Sequence, residues 1–158
     1  MKKLFFISIV LCFILAGFQK TDALIVKYTV DELAARSELV IVGEVAALKA
    51  RWNKDQEPIY TEITVTVDEI WKGNPETKTV TIEQVGGTSD GTTLIVPDAA
   101  EFKTGMKVIL FIDRREDMTD LAGWFQGKFN IDGDMAIQEK TGYKIPVSEL
   151  KTLVNQHK

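Results

Sequence analysis

The chain of 158 residues has one cysteine, Cys12, and one histidine, His157. Cys12 lies inside an apolar N-terminal segment that we expect to be removed, which leaves a chain without thiols. Such a chain has no cysteine nucleophile, no cysteine-ligated zinc and no disulfide. His157 is next to the last residue, so the sequence also argues against a histidine-based triad or metal site, and no cofactor is expected.

Clusters of basic residues are also missing from the sequence. The formal net charge is −4. The first 23 residues contain Lys2, Lys3, Lys20 and Asp22, a net charge of +2, so the remaining residues carry −6. An acidic exterior disfavours nucleic acids and anionic lipids as partners, because both are bound through clustered lysine and arginine. No nucleic-acid partner is therefore expected.

The longest apolar run, Leu4 to Phe18, has 15 residues, whereas a helix needs about 20 to cross a bilayer. Two lysines precede the run, and Thr21-Asp22-Ala23 follows it with small residues at the first and last positions. This layout is typical of a secretory signal peptide that is cleaved after Ala23. The sequence therefore predicts a signal peptide at 1–23 and a single secreted, extracellular domain at 24–158.

Two alternatives remain open for the N-terminal segment. An uncleaved segment would anchor the protein in the membrane through residues 4–18, and this segment would be its sole membrane contact. The second alternative is lipidation at Cys12. It is disfavoured because Leu11 stands where a lipobox has a small residue, and because Cys12 lies in the middle of the apolar run.

Capping signals predict a helix at each end of the domain. In Thr29-Val30-Asp31-Glu32 the Thr29 hydroxyl can accept from the amide of Glu32, whose carboxylate can reach back to Thr29. Leu33 and Ala34 would then face the core. A second helix is predicted near the C-terminus, capped by Ser148, and its core-facing residues would be Leu150, Leu153 and Val154.

Most of the chain between the two helices has a β pattern. Residues 39–52 are predicted to form a strand with a bend at Gly43, and Ile63, Val65 and Val67 alternate with polar residues. Asp132-Gly133 is predicted to be a hairpin turn. Further strands are predicted at 79–85, 92–96, 106–112, 124–131, 135–138 and 143–145, and polar, flexible or charged loops at 53–58, 86–91 and 113–120.

Seven or eight short strands joined by close turns favour an antiparallel over a parallel sheet. We therefore predict a mainly β fold, with a short N-terminal helix and a C-terminal helix. Its architecture would be a small OB-like antiparallel β-barrel, either closed or partly open. A glycine bend in the first strand fits the corner that a small barrel needs.

Three patterns were considered as sites of chemistry. The Gly86–Gly91 loop lacks the lysine and the following helix of a phosphate-binding loop. Asn130, Asp132 and Asp134 alternate as at the start of a calcium loop, but the glycine is misplaced and the final glutamate is absent. Acidic residues are numerous enough for a carboxylate-dependent hydrolase, yet nothing singles out a pair. No metal site and no catalytic residue are predicted.

Aromatic residues are the best candidates for contacts with a ligand. Trp124 and Phe125 are adjacent on a predicted strand, so they would point to opposite faces and one of them would be exposed. Trp52 stands beside the 53–58 loop in a similar setting. Trp71 ends a strand and is interpreted as part of the core or of a barrel lid. The candidate ligand contacts are therefore Trp52, Trp124 and Phe125.

The motifs SELVIVGEV, YTEITVTVDEIWKG, TVTIEQVGG, FKTGMKVILFI and WFQGKFNI follow one another between Ser37 and Ile131. This order resembles a group of small secreted bacterial proteins without an assigned activity. It is also similar to the netrin-like module of tissue inhibitors of metalloproteinases, and this second resemblance implies an OB-fold barrel. Those inhibitors chelate the zinc of a protease through an N-terminal cysteine, whereas the predicted first residue here is Leu24. That mechanism therefore does not carry over, and no site residue can be transferred.

The expected function is that of a secreted, non-catalytic binding module. Its ligand would be an extracellular protein, such as a protease, or a cell-wall polymer, contacted by the barrel face and by the loops at 53–58 and 86–91. A structural or envelope-associated protein without a specific ligand is the first alternative, and a carboxylate-dependent hydrolase is the second. Binding predicts an exposed aromatic patch, whereas a hydrolase predicts two close acids in a cleft, one of them with a raised pKa.

Overall fold

The computed structural model describes residues 26–53, 58–115 and 118–158. The predicted signal peptide and most of the 53–58 loop therefore lie outside the described residues. The helices in this part of the chain are α1 (Val30–Arg36), α2 (Val147–Asn155) and a 3₁₀ helix (Trp124–Gly127). The strands are β1 (Leu39–Trp52), β2 (Ile59–Lys72), β3 (Thr79–Val85), β4 (Gly87–Ser89), β5 (Thr92–Leu94), β6 (Lys107–Arg115), β7 (Met118–Leu121), β8 (Lys128–Asp132), β9 (Met135–Gln138) and β10 (Tyr143–Pro146).

Eight of these strands form one antiparallel sheet in the order β10-β9-β8-β6-β1-β2-β3, with β7 paired to β6 beside β8. Strands β4 and β5 form a separate hairpin. The predicted mainly β, antiparallel fold with a helix before and after the strands is therefore confirmed. Within the described residues no ladder joins β3 to β10 or to β7, so the sheet is not closed by hydrogen bonds.

The first five residues of β1 and residues Val108 to Ile112 of β6 are buried on both faces of the sheet. Val108 to Ile112 of β6 are all fully buried, as the continuous apolar run predicted. Alternate residues of these strands contribute to two different cores. The helix-side core contains Val40, Phe111 and Phe129 together with Leu33, Leu150 and Val154 from the two α-helices. The inner core contains Ile41, Leu110, Ile63, Ile82 and Phe125.

The two α-helices cover one face of the sheet. The predicted capping box of α1 is confirmed: the Glu32 amide donates to Thr29 Oγ1 at 3.2 Å, and the Thr29 amide donates to Glu32 Oε2 at 2.8 Å. The Ser148 cap predicted for α2 is wrong, because the N-cap is Pro146 and has no side-chain hydrogen bond. A tertiary contact fixes this start instead, since the Val147 amide donates to the Asp134 carbonyl at 2.8 Å.

Two predicted elements differ in the structure. Residues 113–120 were expected to be a charged loop, but β6 continues to Arg115 and pairs with β7, so Asp113, Arg114 and Asp120 lie on paired strands. The predicted strand at 124–131 begins only at Lys128, because Trp124–Gly127 is a 3₁₀ helix. Gly123 and Trp124 have φ values of 67° and 63°, and these left-handed conformations are incompatible with an extended strand.

The segment 86–91 was expected to be a flexible loop and instead contains a strand. Gly87–Ser89 pairs with Thr92–Leu94, and Asp90 and Gly91 form the turn with φ values of 50° and 77°. Two positive φ angles match the two-residue turns that suit the twist of a hairpin. The hairpin predicted around Asp132-Gly133 is confirmed, with Asp132 paired to Met135 across the turn.

Gly43 produces the predicted irregularity of β1. The pairing of β1 with β2 shifts register between Val42 and Gly43. A Cβ atom at Gly43 would overlap the carbonyl oxygen of Thr66 and would lie 2.7 Å from Val65 Cγ1. The two strands therefore approach each other here more closely than a side chain allows.

We expect Gly43→Ala to destabilise the protein by about 2–4 kcal/mol, because the overlap is with backbone rather than with a mobile side chain. Urea unfolding measures the effect. Ala47→Ser, at an exposed position of the same strand, is the control and should stay within about 0.5 kcal/mol of wild type. Equal stability of the two variants would contradict the proposed close approach.

Candidate ligand-binding groove

The three candidate aromatic residues differ in exposure. Trp124 is 42% exposed, Phe125 is only 9% exposed and belongs to the inner core, and Trp52 is partly buried at the end of β1. One residue of the adjacent pair is exposed and the other buried, although the 3₁₀ helix rather than a strand separates them. Phe125 offers little surface to a ligand, so Trp124 is the stronger candidate of the pair.

Trp52 and Trp124 lie near opposite ends of β1. The Ala122 amide donates to the Phe111 carbonyl at 2.8 Å, and Phe111 pairs with Val40, which places the 3₁₀ helix near the first residues of β1. Trp52 is twelve residues further along this strand, roughly 40 Å at the usual rise per residue. The two tryptophans therefore cannot belong to one small site.

A groove with a volume of about 540 Å³ lies on the side of the domain near Trp124. It is bounded by the segment before α1, by the first turn of α1 and by the turn between β9 and β10. We name it the Tyr28–Tyr143 groove. Gly123 packs against the ring of Tyr28, so Trp124 follows directly after a residue that supports the groove wall. Its principal lining residues are Tyr28, Asp31, Gln126, Phe129, Gln138 and Tyr143.

Gln126 attaches the N-terminal segment to the rest of the domain. Its side chain is 3% exposed, and its Oε1 accepts from the Tyr28 amide at 2.9 Å. Its Nε2 donates to the Val26 carbonyl at 2.9 Å and to the Gly123 carbonyl at 3.4 Å. One wall of the groove is therefore held in place by a single buried amide from a distant part of the sequence.

Gln138 continues this polar network below the groove. Its Nε2 donates to the Gln126 carbonyl at 2.6 Å, and its Oε1 accepts from Thr141 Oγ1 at 2.6 Å. Both glutamines are thus buried with their oxygens and nitrogens bonded, as buried polar groups require. The network fixes the turn between β9 and β10 relative to the 3₁₀ helix, and it makes the floor of the groove rigid.

Aromatic rings form the walls of the groove. Tyr143 is 45% exposed, and its ring meets Phe129 edge to face at a centroid distance of 6.4 Å. Phe129 in turn packs on Phe111 at 5.7 Å. On the other wall the guanidinium of Arg36 lies 4.8 Å from the centroid of the Tyr28 ring. Both tyrosines are therefore orientated by neighbours before any ligand arrives.

Sequence reasoning did not identify Tyr28, Tyr143, Gln126 or Gln138. Tyr28 directly precedes the capping box, and Tyr143 begins the strand predicted at 143–145, so both stood next to recognised signals. Nothing in the sequence indicates that the two tyrosines share a groove, because 115 positions separate them. The two glutamines are buried, although glutamine is mostly exposed in folded proteins.

A second, smaller groove of about 280 Å³ lies beneath the β4–β5 hairpin. Leu48, Ile63, Leu94 and Phe102 are among its lining residues. Ile95, which follows the hairpin, is 81% exposed. A Cβ atom at Gly87 would contact Ala50 and Ile59, and Ile59 pairs with Trp52. Trp52 therefore lies on the side of this smaller groove, at the end of the domain away from Trp124.

Trp71 belongs to the helix-side core, as predicted. Its side chain is 1% exposed, and its Nε1 donates to Glu69 Oε2 at 3.0 Å. Lys151 of α2 binds the same oxygen at 2.7 Å and lies 5.7 Å from the indole centroid. The hydrogen bonds from Lys151 and then from Trp71 lower the pKa of Glu69 below its ordinary value. Trp71 therefore ties the end of β2 to α2.

Lys128 is a buried cation that sequence reasoning also missed. Its side chain is 4% exposed, and its ammonium donates to the Glu101 carbonyl and lies 3.6 Å from Glu139. The ammonium is also 4.9 Å from the centroid of the Phe102 ring. Burial lowers the pKa of Lys128 below its ordinary value, although Glu139 acts in the opposite direction. Lys128 thereby connects the segment around Glu101 to β8.

Within the described residues no three histidine, cysteine, aspartate or glutamate side chains are grouped as metal ligands. Among the helices of the described chain, none has the length and apolar character needed to cross a membrane. No family model matches the sequence, and the search of curated proteins also finds no match. The function of the protein is therefore inferred from the geometry of its grooves.

We expect Gln126→Ala to destabilise the protein by about 2–4 kcal/mol, because the backbone of Val26, Tyr28 and Gly123 loses its partners. Hydrogen exchange at the Tyr28 amide should accelerate at the same time. Gln156→Ala, at an exposed position after α2, is the matched control. Unchanged exchange at Tyr28 in Gln126→Ala would show that the N-terminal segment is held by other contacts.

Lys128 should make the free energy of unfolding depend on pH in the alkaline range. Its pKa is lower in the folded than in the unfolded chain, so the unfolded chain binds more protons between the two values. The contribution of Lys128 to stability therefore rises with pH as the pH approaches 10.5, the ordinary lysine pKa. We expect the free energy of unfolding of wild type, minus that of Lys128→Met, to increase over this range in urea unfolding. Gln156→Ala, which removes no titratable group, should show a constant difference from wild type.

Proposed function

We propose that the protein is a secreted, non-catalytic binding module whose ligand is an extracellular protein or a cell-wall polymer. The observation that carries this proposal is the Tyr28–Tyr143 groove, a preformed concavity of about 540 Å³. The exposed Trp124 follows Gly123, which packs against the groove residue Tyr28. Concave sites lined by aromatic residues and a few fixed polar groups are the usual form of ligand-binding sites. Partly exposed tyrosine and tryptophan rings are typical contact residues.

An OB-like barrel is the scaffold that we propose for this module. Support comes from the path of the strands, because β1 pairs on one side with β2 and on the other with β6, and β6 pairs with β7. Strand β7 lies close to β3, although no ladder joins them among the described residues. The sheet thus curves far enough to bring its β3 edge near β7, and the inner core fills the concave side.

Glu32 and Glu69 have structural roles rather than the role of a catalytic acid. The pKa of Glu32 is lowered by its hydrogen bond to the Thr29 backbone, and that of Glu69 by its hydrogen bond to Lys151. Both shifts are opposite in direction to the raised pKa that a general acid needs near neutral pH. Both groups also have a structural explanation, since Glu32 caps α1 and Glu69 binds α2 through Lys151.

Secretion is proposed from the apolar run at residues 4–18 and the small residues around position 22. Cleavage after Ala23 would leave Val26 and Tyr28 in the chain. These two residues are hydrogen-bonded to Gln126 within the domain. Removal of 1–23 is therefore compatible with an intact groove wall. The predicted bacterial origin follows from the resemblance described above.

The test uses the full chain, purified in the form that the expression host releases and then immobilised. Isolated bacterial cell wall and the proteins of spent medium are offered separately. We expect wild type to retain material from one of them, and Trp124→Ala to reduce retention about thirtyfold, which corresponds to ~2 kcal/mol for an exposed aromatic contact.

Trp52→Ala and Ile95→Ala are matched controls, because both residues lie at the other end of the domain. Phe125 is unsuitable for this comparison, since truncating a buried core residue would lower stability as well. Failure of wild type to retain anything would contradict the binding function. Equal retention by wild type and Trp124→Ala would show that Trp124 is not a ligand contact.

A further inference from the structure

The shape of the Tyr28–Tyr143 groove restricts what it can bind. Its volume of about 540 Å³ lies within the range of roughly 300–1,000 Å³ that is usual for small-molecule sites. A stable protein–protein interface instead buries about 800 Å² of each partner. The groove therefore suits a short, narrow segment better than the surface of a folded protein, and this favours a polymer chain.

The walls of the groove combine flat aromatic surface with polar groups. Tyr143 is 45% exposed, and its orientation is fixed because its ring meets Phe129 edge to face. Tyr28, Tyr143 and Asp31 line the groove, and their phenolic hydroxyls and carboxylate are hydrogen-bonding groups. A sugar ring has an apolar face of C–H groups and a periphery of hydroxyls, so its two kinds of surface match the two kinds of lining.

The charges around the groove disfavour an ionic ligand. Lys27 and Asp31 both line it, one with each sign, and Asp31 Oδ1 is 3.2 Å from His157 Nε2. The lining residues Lys27 and Asp31 carry opposite charges, and the guanidinium of Arg36 adds a positive charge 4.8 Å from the centroid of the Tyr28 ring. The residues after position 23 carry a formal charge of −6. A polyanion would be repelled by this exterior, and the groove has no cluster of lysine or arginine to bind it.

The polar groups of the groove floor are already engaged in hydrogen bonds. The side-chain amide of Gln126 bonds to Val26 and Tyr28, and that of Gln138 bonds to the Gln126 carbonyl and to Thr141. A site that is orientated before binding loses less conformational entropy when the ligand arrives. Selectivity would then come from how well a ring fits against Tyr143, rather than from rearrangement of the floor.

We propose that the Tyr28–Tyr143 groove binds uncharged sugar rings of a cell-wall polymer, with Tyr143 as the ring on which a sugar stacks. This inference rests on the proposed binding function and names its ligand class. Tyr28 and Asp31 contact the periphery of the bound sugar, and Gln126 acts as a positioning residue, since it holds the wall that carries Tyr28.

The test titrates the full chain with N-acetylglucosamine trimer, maltotriose and a short anionic polymer, and follows binding by calorimetry and by NMR shifts of Tyr143 and its neighbours. We expect one of the uncharged trimers to bind and the polyanion not to bind. Tyr143→Ala should weaken binding at least tenfold, whereas Tyr143→Phe, which keeps the ring, should weaken it less than threefold. Trp52→Ala is the aromatic control at the other end, and thermal unfolding confirms that each variant is folded.

The outcomes separate this inference from the binding function. If wild type retains cell wall but Tyr143→Ala retains it equally well, the sugar site is wrong and the binding function stands. The same conclusion follows if a medium protein binds and no trimer does. If wild type retains neither cell wall nor a medium protein, the binding function fails as well. A Tyr143→Phe variant as weak as Tyr143→Ala would contradict stacking on the ring.

Discussion

The pairing of β1 with β6 is the constraint on which the rest of the structure depends. Residues Leu39–Glu44 and Lys107–Ile112 form one continuous ladder, and their side chains alternate between two buried cores. Both faces of this strand pair carry apolar side chains, so other elements of the chain must pack against each of them. The two helices cover one face, and the sheet curves over the other. The groove lies where the helix cover meets the 3₁₀ helix and the β9–β10 turn.

Regular periodicity explains what the sequence predicted well. The alternation in β2, the apolar run of β6 and the capping box of α1 each depend on residues within a few positions of one another. Burial then follows the alternation, as Ile63, Val65 and Val80 show. These local signals also defined the order of the strands closely enough to indicate an antiparallel sheet. They do not reveal whether the last strands close it.

The errors arose where tertiary contacts override local preference. The charged hairpin of β6 and β7 forms because its backbone pairs, although its side chains resemble a loop. The strand expected at 124–131 is interrupted by left-handed backbone at Gly123 and Trp124, which no apolar pattern indicates. The groove was not predicted for the same reason, because Tyr28 and Tyr143 come to line one groove only after the whole sheet has formed. Trp124 was identified because it is adjacent to Phe125, and adjacent residues of the predicted strand would point to opposite faces.

The bonds of Gln126 have a consequence for the order in which the protein folds. They join residues 98 and 100 positions apart in the sequence, and contacts of such separation form late because a long loop must first be closed. The segment around Tyr28 is translated early, but its hydrogen bonds to Gln126 can form only after the later part of the sheet is in place. We therefore expect the groove wall to be among the last parts of the domain to assemble. An intact Tyr28–Tyr143 groove would then mark a chain whose folding is complete.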